Sequence, residues 1–501
     1  MSQKIAIIGG GIAGLSAGIY AQKAGFESTV YEKHSVPGGQ CTGWMREGHY
    51  IDNCICWMTC AKEGYYLWDL WKDSGICADG IEIHQHDYFY KSELDGQTIH
   101  LWRDLKRTEK EMIELSPEDK REIKKFIRYV KLSECLEVPC KKPLDMMNLI
   151  DLIQIGLRMK NMIPVIMKYS HMSVGDLSEK FKHPLLKKVI TDYMPRDYLA
   201  HLFVTAYGTI TSGGGGVPVG GSFAAMQRMA KRYEELGGKL ICSKPVEKVL
   251  IEGNQAKGII FEDGTKIEAD YVICTTDTYH AFEKLIDRKY MPKILKKCYD
   301  DNKNNPLGSS FHAAFSFDGT TDEIGGRTFF ECSGFNLAGR IIKRMNIKNY
   351  SFEKTTVPEG KSLLQVKILE NEEEYLYWQN LYNNDRKKYD IEKQKAAEDI
   401  QKALEERYPF LKGKLKLLDI WTPFTYTRFC NAYRGVYMTF ITTKKSPDIS
   451  NVPGVIKGVD NLLLAGQWLM LPGGIPVALV TGKYAIQRIL KKQKRSVIIK
   501  P

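Results

Sequence analysis

The sequence predicts an α/β protein in which a parallel-sheet domain, assembled from separated stretches of chain, carries an inserted α+β region. Three observations lead there. The chain opens with a β-branched strand, a glycine turn, an apolar helix and a second strand within its first forty residues. Strand-like patterns return at 239–274 after a long interruption, and the chain closes with a buried strand at 462–464, a glycine turn and a helix over about 477–490. Strands alternating with helices imply βαβ units and a parallel sheet.

The opening stretch is the most informative. Lys4-Ile5-Ala6-Ile7-Ile8 runs into Gly9-Gly10-Gly11-Ile12-Ala13-Gly14, a Gly-x-Gly-x-x-Gly placed between a strand and a helix, which is the Rossmann-type dinucleotide fingerprint in its proper context. Gly9 allows the tight turn, Gly11 lets backbone approach a pyrophosphate, and Gly14 lets the helix lie close on the sheet. The pyrophosphate then meets free N–H groups and the positive end of the helix dipole. Glu32 follows Gly14 by 18 residues, near the offset of roughly 20 at which a carboxylate bonds the ribose hydroxyls. It would also repel a 2′-phosphate. These residues by themselves leave NAD and FAD both open.

A length of 501 residues allows two or three domains, and 43% hydrophobic with 26% charged residues is a globular composition. The first strand begins almost at once, without a signal-peptide pattern, so the twelve cysteines are expected to be reduced thiols in a cytoplasmic protein. Cys54, Cys56 and Cys60 lie close together but match no metal-site spacing, and read as small apolar fillers; no metal is expected. The net charge of +12 is modest for the length. It admits attraction to anionic lipid, whereas nucleic acid lacks a recognisable module.

Residues 12–24 form a small-residue helix ended by Gly25, and Pro37-Gly38-Gly39-Gln40 makes a second glycine turn within reach of the same diphosphate. This doubling favours FAD. A short strand at 49–53 precedes aromatics including Trp57, Trp68 and Trp71, read as core, and Asp95-Gly96 turns a hairpin within 87–101. Residues 143–170 are rich in Met, Leu and Ile but punctuated by Asp151, Arg158, Lys160 and Lys168. The charges exclude a transmembrane span and leave an amphipathic helix, either a core helix or a lid dipping into a bilayer. Another helix is expected at 174–194, and glycines at 213–216 and 220–221 mark a boundary. Ser222 is expected to cap the helix that follows, strands recur at 239–242, 246–251, 259–261 and 271–274, and a long helix occupies 386–408. The division predicted is 1–85, 215–300 and 455–501 for the nucleotide domain, with 86–214 and 301–454 for substrate.

With these glycine sites in place, the chain resembles the phytoene desaturase family of FAD-dependent oxidoreductases, which includes carotenoid desaturases and isomerases and the retinol saturase type. The resemblance rests on 9–14 with Glu32, on Pro37-Gly38-Gly39 followed by Gly48-His49-Tyr50-Ile51-Asp52, on 220–277, and on Ala465-Gly466 through Pro472-Gly473-Gly474-Ile475-Pro476. It implies that Gly9, Gly11, Ile12, Ala13, Gly14, Gly38, Gly39 and Gln40 surround the diphosphate, and that Glu32 with Lys33 meets the adenosine ribose. Val246 would meet the adenine through its backbone, and Gly466, Gly474, Ile475 and Pro476 would bring the last helix towards the flavin. Two departures stand out. Gln40 replaces the family's usual arginine, and Gln467-Trp468-Leu469-Met470-Leu471 replaces a small, histidine-containing stretch of carotenoid desaturases, which argues against a carotenoid in particular.

The resemblance implies an FAD enzyme that desaturates, saturates or isomerises a carbon–carbon bond of a lipophilic, isoprenoid or polyene-like substrate. The electron partner is left among nicotinamide, a quinone and another protein, with no separate NAD(P)-binding domain visible, and peripheral membrane contact is in keeping with 143–170. An amine oxidase on the same scaffold and a non-catalytic FAD-binding protein are the competing readings. No paired carboxylates or Ser-His-Asp set is placed by motif. His201 and His312, in apolar surroundings, read as core residues, and Tyr433 is the candidate proton donor.

Overall fold

The computed structural model describes residues 2–355, 357–447 and 452–499. At its centre is a five-stranded, all-parallel sheet in the order Leu462–Leu464, Tyr271–Cys274, Lys4–Ile8, Glu27–Tyr31, Lys239–Ile241. The first strand lies in the middle, with later strands added on both sides, so its glycine turn emerges where the strand order reverses. That is where open α/β sheets bind ligands. Ile5 and Ile7 enter one apolar core while Ala6 and Ile8 enter another, the two-sided burial that keeps parallel strands apolar throughout.

Against this sheet the helix Ile12–Lys23 packs on the final helix, Gly474–Lys492. Small residues set the closeness. A Cβ on Gly482 would stand 2.4 Å from the Ala13 carbonyl oxygen, and the Ser16 hydroxyl donates to the Leu479 carbonyl at 2.6 Å. A three-stranded antiparallel layer, Val246–Glu252, Gln255–Phe261 and Lys266–Glu268, lies beside the parallel sheet.

A second sheet has seven strands in the order Lys416–Trp421, Ser309–Asp318, Lys361–Glu370, Arg340–Asn349, Arg327–Leu337, Tyr88–Leu94, Gln97–Trp102. It is antiparallel apart from the pairing of Arg327–Leu337 with Tyr88–Leu94. One face buries Phe311, Phe315, Val366, Ile368 and Ile347 against the helices Glu372–Asn384 and Arg386–Arg407. The period-2 alternation of strands sends the intervening residues to the opposite face, and these are polar: His312, Gln365, Lys367, Asn346, Lys348 and Arg327. That face is a wall of the cavity described below.

The nucleotide-side elements fall where the sequence places them, and three local expectations change. The region 143–170 is two helices, Leu149–Arg158 and Met162–Tyr169, interrupted around Met159, and 174–194 is likewise two, Val174–Ser178 and Pro184–Thr191, since Pro184 starts afresh at a first helical turn. Ser222 is not an N-cap. The helix Gly221–Glu235 starts behind Gly220 at φ 89°, and the Ser222 amide and hydroxyl both donate to Asp52, at 2.7 Å each. The capping carboxylate thus comes from a distant strand. Helix Leu149–Arg158 buries none of its residues, and Leu149, Ile150, Leu157 and Met167 are each at least 65% exposed. No helix among the described residues is long and apolar enough to cross a membrane, and all twelve cysteines are free thiols.

Candidate functional site

One cavity of about 1190 Å³ runs from the opening glycine turn to the polar face of the seven-stranded sheet. At its first end, two glycine turns face each other. The Gly38 amide donates to the Gly10 carbonyl at 2.9 Å, and a Cβ built on Gly39 would lie 3.5 Å from Gly11 Cα. Any side chain on Gly11 or Gly39 would enter the gap. The helix behind Gly11 has no side-chain cap, and its first-turn N–H groups, which have no intrahelical partner, are of the kind that binds an anion. Glu32, 5% exposed, closes this end: it accepts from the Gly10 amide at 2.7 Å and from the His34 amide at 2.9 Å. A carboxylate offers about four lone-pair sites, so two remain for ribose hydroxyls. Val246 and Lys33 line the same end.

Gly9, Gly11, Ile12, Ala13, Glu32, Lys33, Gly38, Gly39, Gln40, Val246, Gly466, Gly474, Ile475 and Pro476 all border this cavity. Gly14 does not. Its added Cβ would meet the Gly9 carbonyl oxygen at 1.9 Å, so its part is to let helix meet strand, not to touch a ligand.

At the far end of the cradle the final helix starts at Gly474, behind Gly473 at φ 81°. The Gly474 amide is capped by the Gln467 side-chain oxygen at 3.1 Å, and the Gln467 amide group approaches Gln40 at 3.4 Å. Gln40 in turn donates to the Val436 carbonyl at 2.9 Å. The two positions at which the sequence departs from its family pattern are therefore one hydrogen-bonded unit. It joins the second glycine turn to the last helix without a charge.

The chamber beyond has two kinds of wall. Met159, Met162, Ile166, Leu202 and Ala206 form an apolar side, while the sheet contributes polar residues. His312, buried as expected, and His201 both border the cavity. His312 stacks on Trp421 with centroids 4.5 Å apart; its Nε2 is 2.7 Å from the Ser310 hydroxyl and 3.2 Å from that of Tyr426. Burial keeps its imidazole far below the ordinary histidine range. Tyr426 also donates to Asn53 at 3.1 Å, and burial pushes its phenol up to about 12.

Tyr433 lies elsewhere. Its ring packs on Tyr279 at 4.1 Å and Tyr299 at 5.0 Å inside an apolar core, and it does not border the cavity. The proton-donor expectation thus moves from Tyr433 to the tyrosines that do, Tyr426 foremost. Asp277, also bordering the cavity, was missed. It accepts from the Tyr433 amide at 3.0 Å and the Tyr279 amide at 2.8 Å, and burial, outweighing these hydrogen bonds, raises its carboxyl to about 6.

Arg327, Lys348 and Lys367 were also missed. The available signal was the alternation in Asn346-Ile347-Lys348 and Gln365-Val366-Lys367, strand patterns whose polar face ordinarily points to solvent. Cys56, expected to be an apolar filler, borders the chamber beside them. Burial pushes its thiol up, but Arg327, Lys348 and Lys367 outweigh it and bring the thiol to about 7.

Comparison with known proteins agrees with this geometry. Residues 12–490 match the family of flavin containing amine oxidoreductases. The chain is similar to a neurosporene-forming phytoene desaturase of Cereibacter sphaeroides, 26% identical over 292 residues, 56% of this chain and 54% of that one. It is also similar to prolycopene isomerase 2 of an Oncidium hybrid cultivar, 24% identical over 86% of this chain and 74% of the isomerase. The chain spans just over half the length, 54–56%, of the phytoene desaturases it matches first. In fold it is similar to an oxidoreductase from Methanosarcina mazei, with a TM-score of 0.61 at 15% identity over 97% of this chain and 100% of the other. The facing glycine turns, the uncapped helix start and the buried Glu32 fit the cofactor of this family, and the chain belongs to the flavin containing amine oxidoreductases, FAD proteins.

Proposed function

We propose that this protein is an FAD-dependent oxidoreductase that desaturates, saturates or isomerises a carbon–carbon bond of a lipophilic, isoprenoid or polyene-like molecule. The observation behind it is the continuity of one cavity from the glycine cradle to a chamber with an apolar wall. Gly11, Gly38 and Gly39 would hold the diphosphate, Glu32 the ribose, Val246 the adenine side, and the helix start at Gly474 the flavin end. Bound there, FAD would supply the two-electron acceptor or donor. The chain orients the substrate: Met159, Met162 and Leu202 exclude water, and methionines adapt their shape to a flexible chain. The hydrogen-bonded Tyr426 hydroxyl and His312 Nε2 hold a proton at the chamber wall, with the imidazole kept neutral and able to accept.

Cofactor binding falls to 1–85, 215–300 and 455–501, and substrate binding to 86–214 and 301–454. Met162 and Ile166 border the chamber while Ile163 and Met167, on the same helix, are 57% and 74% exposed. This supports a peripheral contact with a membrane through Leu149–Arg158 and Met162–Tyr169, by which an apolar substrate enters. The electron partner is a nicotinamide, a quinone or another protein. An amine substrate is disfavoured, because Arg327, Lys348 and Lys367 on the chamber wall repel an ammonium group. Anaerobic titration of the flavin spectrum with polyenes, enones and amines tests the proposal. Bleaching or recovery with a polyene or enone is expected; bleaching by amines alone, or a protein that takes up no FAD, would overturn it.

A further inference from the structure

The chamber wall built by the seven-stranded sheet is unusual for a site that takes a hydrocarbon. On adjacent strands Arg327 stands opposite Lys348, and Lys348 opposite Gln365; one row further, Asn346 stands opposite Lys367, and Lys367 opposite His312. Side chains directly opposite on one face of a sheet start about 4.5–5.5 Å apart at Cβ, so three cationic side chains share one small patch of wall. All three border the cavity.

Their compensation within the protein is uneven: burial works against all three charges, but Cys56 and Tyr193 outweigh it at Arg327 and Tyr437 and Cys56 outweigh it at Lys367, whereas at Lys348 burial wins. Lys348 is 7% exposed, and its ammonium has no hydrogen-bond partner, with the Tyr350 and Phe352 rings at 4.2 and 5.9 Å. Lys367 lies 3.8 Å over the Tyr437 ring, and Arg327 lies 5.3 Å over that of Tyr193. The two nearest carboxylates are committed elsewhere. Asp52 receives the Ser222 amide and hydroxyl and the Cys54 amide, and Asp192 takes a two-pronged ion pair from Arg344 at 2.6 and 2.7 Å. Behind Lys348, His84 and His86 are kept neutral by burial, His86 down to about 3. Cys56 supplies a thiolate beside them, and a single thiolate does not balance three cations. Buried like charges facing each other are costly, and the cost is relieved by an anion that occupies the space between them.

We propose that the substrate is an amphiphile whose anionic head group, a carboxylate or a phosphate, is held by Arg327, Lys348 and Lys367, while its apolar chain lies along Met159, Met162, Ile166 and Leu202. This rests on the reading of the cavity as the place where FAD meets a lipophilic substrate, and it narrows that substrate from a hydrocarbon to an acid or phosphate ester. The planar guanidinium of Arg327 matches either anion in two-pronged fashion, and the lysines add point charges.

The test uses the FAD-loaded protein and three C20 isoprenoid probes that differ only at the head: geranylgeranoic acid, geranylgeranyl phosphate and geranylgeraniol. Binding is read from perturbation of the flavin spectrum and, independently, from intrinsic tryptophan fluorescence. The acid or the phosphate is expected to bind at least about tenfold tighter than the alcohol, and the tighter of the two identifies the head group. Lys348→Met and Arg327→Gln are each expected to weaken the anion about tenfold or more while leaving the alcohol and the FAD content unchanged. Alkylation of Cys56, followed by peptide mass spectrometry, is expected to slow when the anion is bound. Equal affinity for alcohol and anion, equal weakening of both by the variants, or no binding of any probe to a protein that retains FAD would overturn the head-group proposal and leave the flavin assignment standing. A wild-type protein that holds no FAD would overturn the flavin assignment, and the fluorescence titration would still decide the head group.

Discussion

Replacing Lys348 by methionine separates the stability of the empty protein from its affinity for ligand. In the wild type the Lys348 ammonium is buried, without a hydrogen-bond partner, and faces Arg327 across the strand pair. For charged heads about 7 Å apart at an effective dielectric constant of about 20, each like pair costs about 2 kcal/mol. The Tyr350 ring returns about 0.5–2 kcal/mol. Methionine has nearly the same length and no charge, and exchanging buried ionic groups for apolar ones of similar volume stabilises by about 1–4 kcal/mol in favourable cases. The expected gain here is about 1–3 kcal/mol. With 501 residues and about 2.1 cal/mol/K of unfolding entropy per residue, that is a rise of about 1–3 °C in the melting temperature. Differential scanning fluorimetry without lipid reads it, and added geranylgeranoic acid should stabilise the wild type more than the variant. A variant that melts lower than wild type and still binds the acid equally well would refute the reasoning, since Lys348 would then be satisfied by the protein itself.

Gly11→Ala and Gly14→Ala should fail in opposite ways. The added methyl of Gly11→Ala finds ordinary contacts at 3.7 and 3.9 Å between the two glycine turns, so the fold survives while FAD affinity falls at least about tenfold, about 1.4 kcal/mol. That of Gly14→Ala meets the Gly9 carbonyl at 1.9 Å and should destabilise by about 1–3 kcal/mol in urea unfolding. Tyr426→Phe should lower kcat about 100-fold or more if its hydroxyl moves the proton, whereas Tyr433→Phe should leave kcat within about twofold; the reverse order would return the role to Tyr433. Glu370, 3% exposed, accepts from the Trp378 indole at 3.1 Å, and burial raises its carboxyl to about 8. Its protonated form is thus favoured by folding, and the stability it contributes is lost as pH rises through 8. Between pH 7 and pH 9 the wild type should lose about 1.4 kcal/mol through this group. Glu370→Gln should remove that part of the slope; an unchanged slope would assign it elsewhere.

The glycine cradle and the buried Glu32 were legible because their determinants are local in sequence. Gly9, Gly11 and Glu32 are fixed by one strand–turn–helix–strand unit, in which Gly11 leaves the gap between the two glycine turns open. The C-terminal turn was legible for the same reason. The chamber was not, because its polar wall depends on register between strands far apart in sequence. Lys348 and Lys367 each alternate with apolar neighbours, a pattern that also describes an ordinary half-solvated strand, and only the pairing of Asn346 with Lys367 and Arg327 with Lys348 turns them into one patch. Tyr433 was misplaced by the converse error. It lies ahead of the final strand in sequence, but the Asp277 carboxylate anchors its backbone and its ring turns into the core.

The same distinction bears on what the substrate is. Two departures visible in the sequence, Gln40 and Gln467, meet each other where the second glycine turn approaches the last helix. The feature that bears on substrate is the cationic wall, carried on strands with no motif of their own. An uncharged polyene would leave Lys348 buried and unpaired in the bound state, without water to solvate it, and would bind against that penalty. An acid or phosphate ester of the same length removes the penalty on binding. The physical selectivity of the chamber thus lies in the head group of its ligand, and its apolar wall discriminates chain length and flexibility only weakly, by about 1–3 kcal/mol per methylene at most.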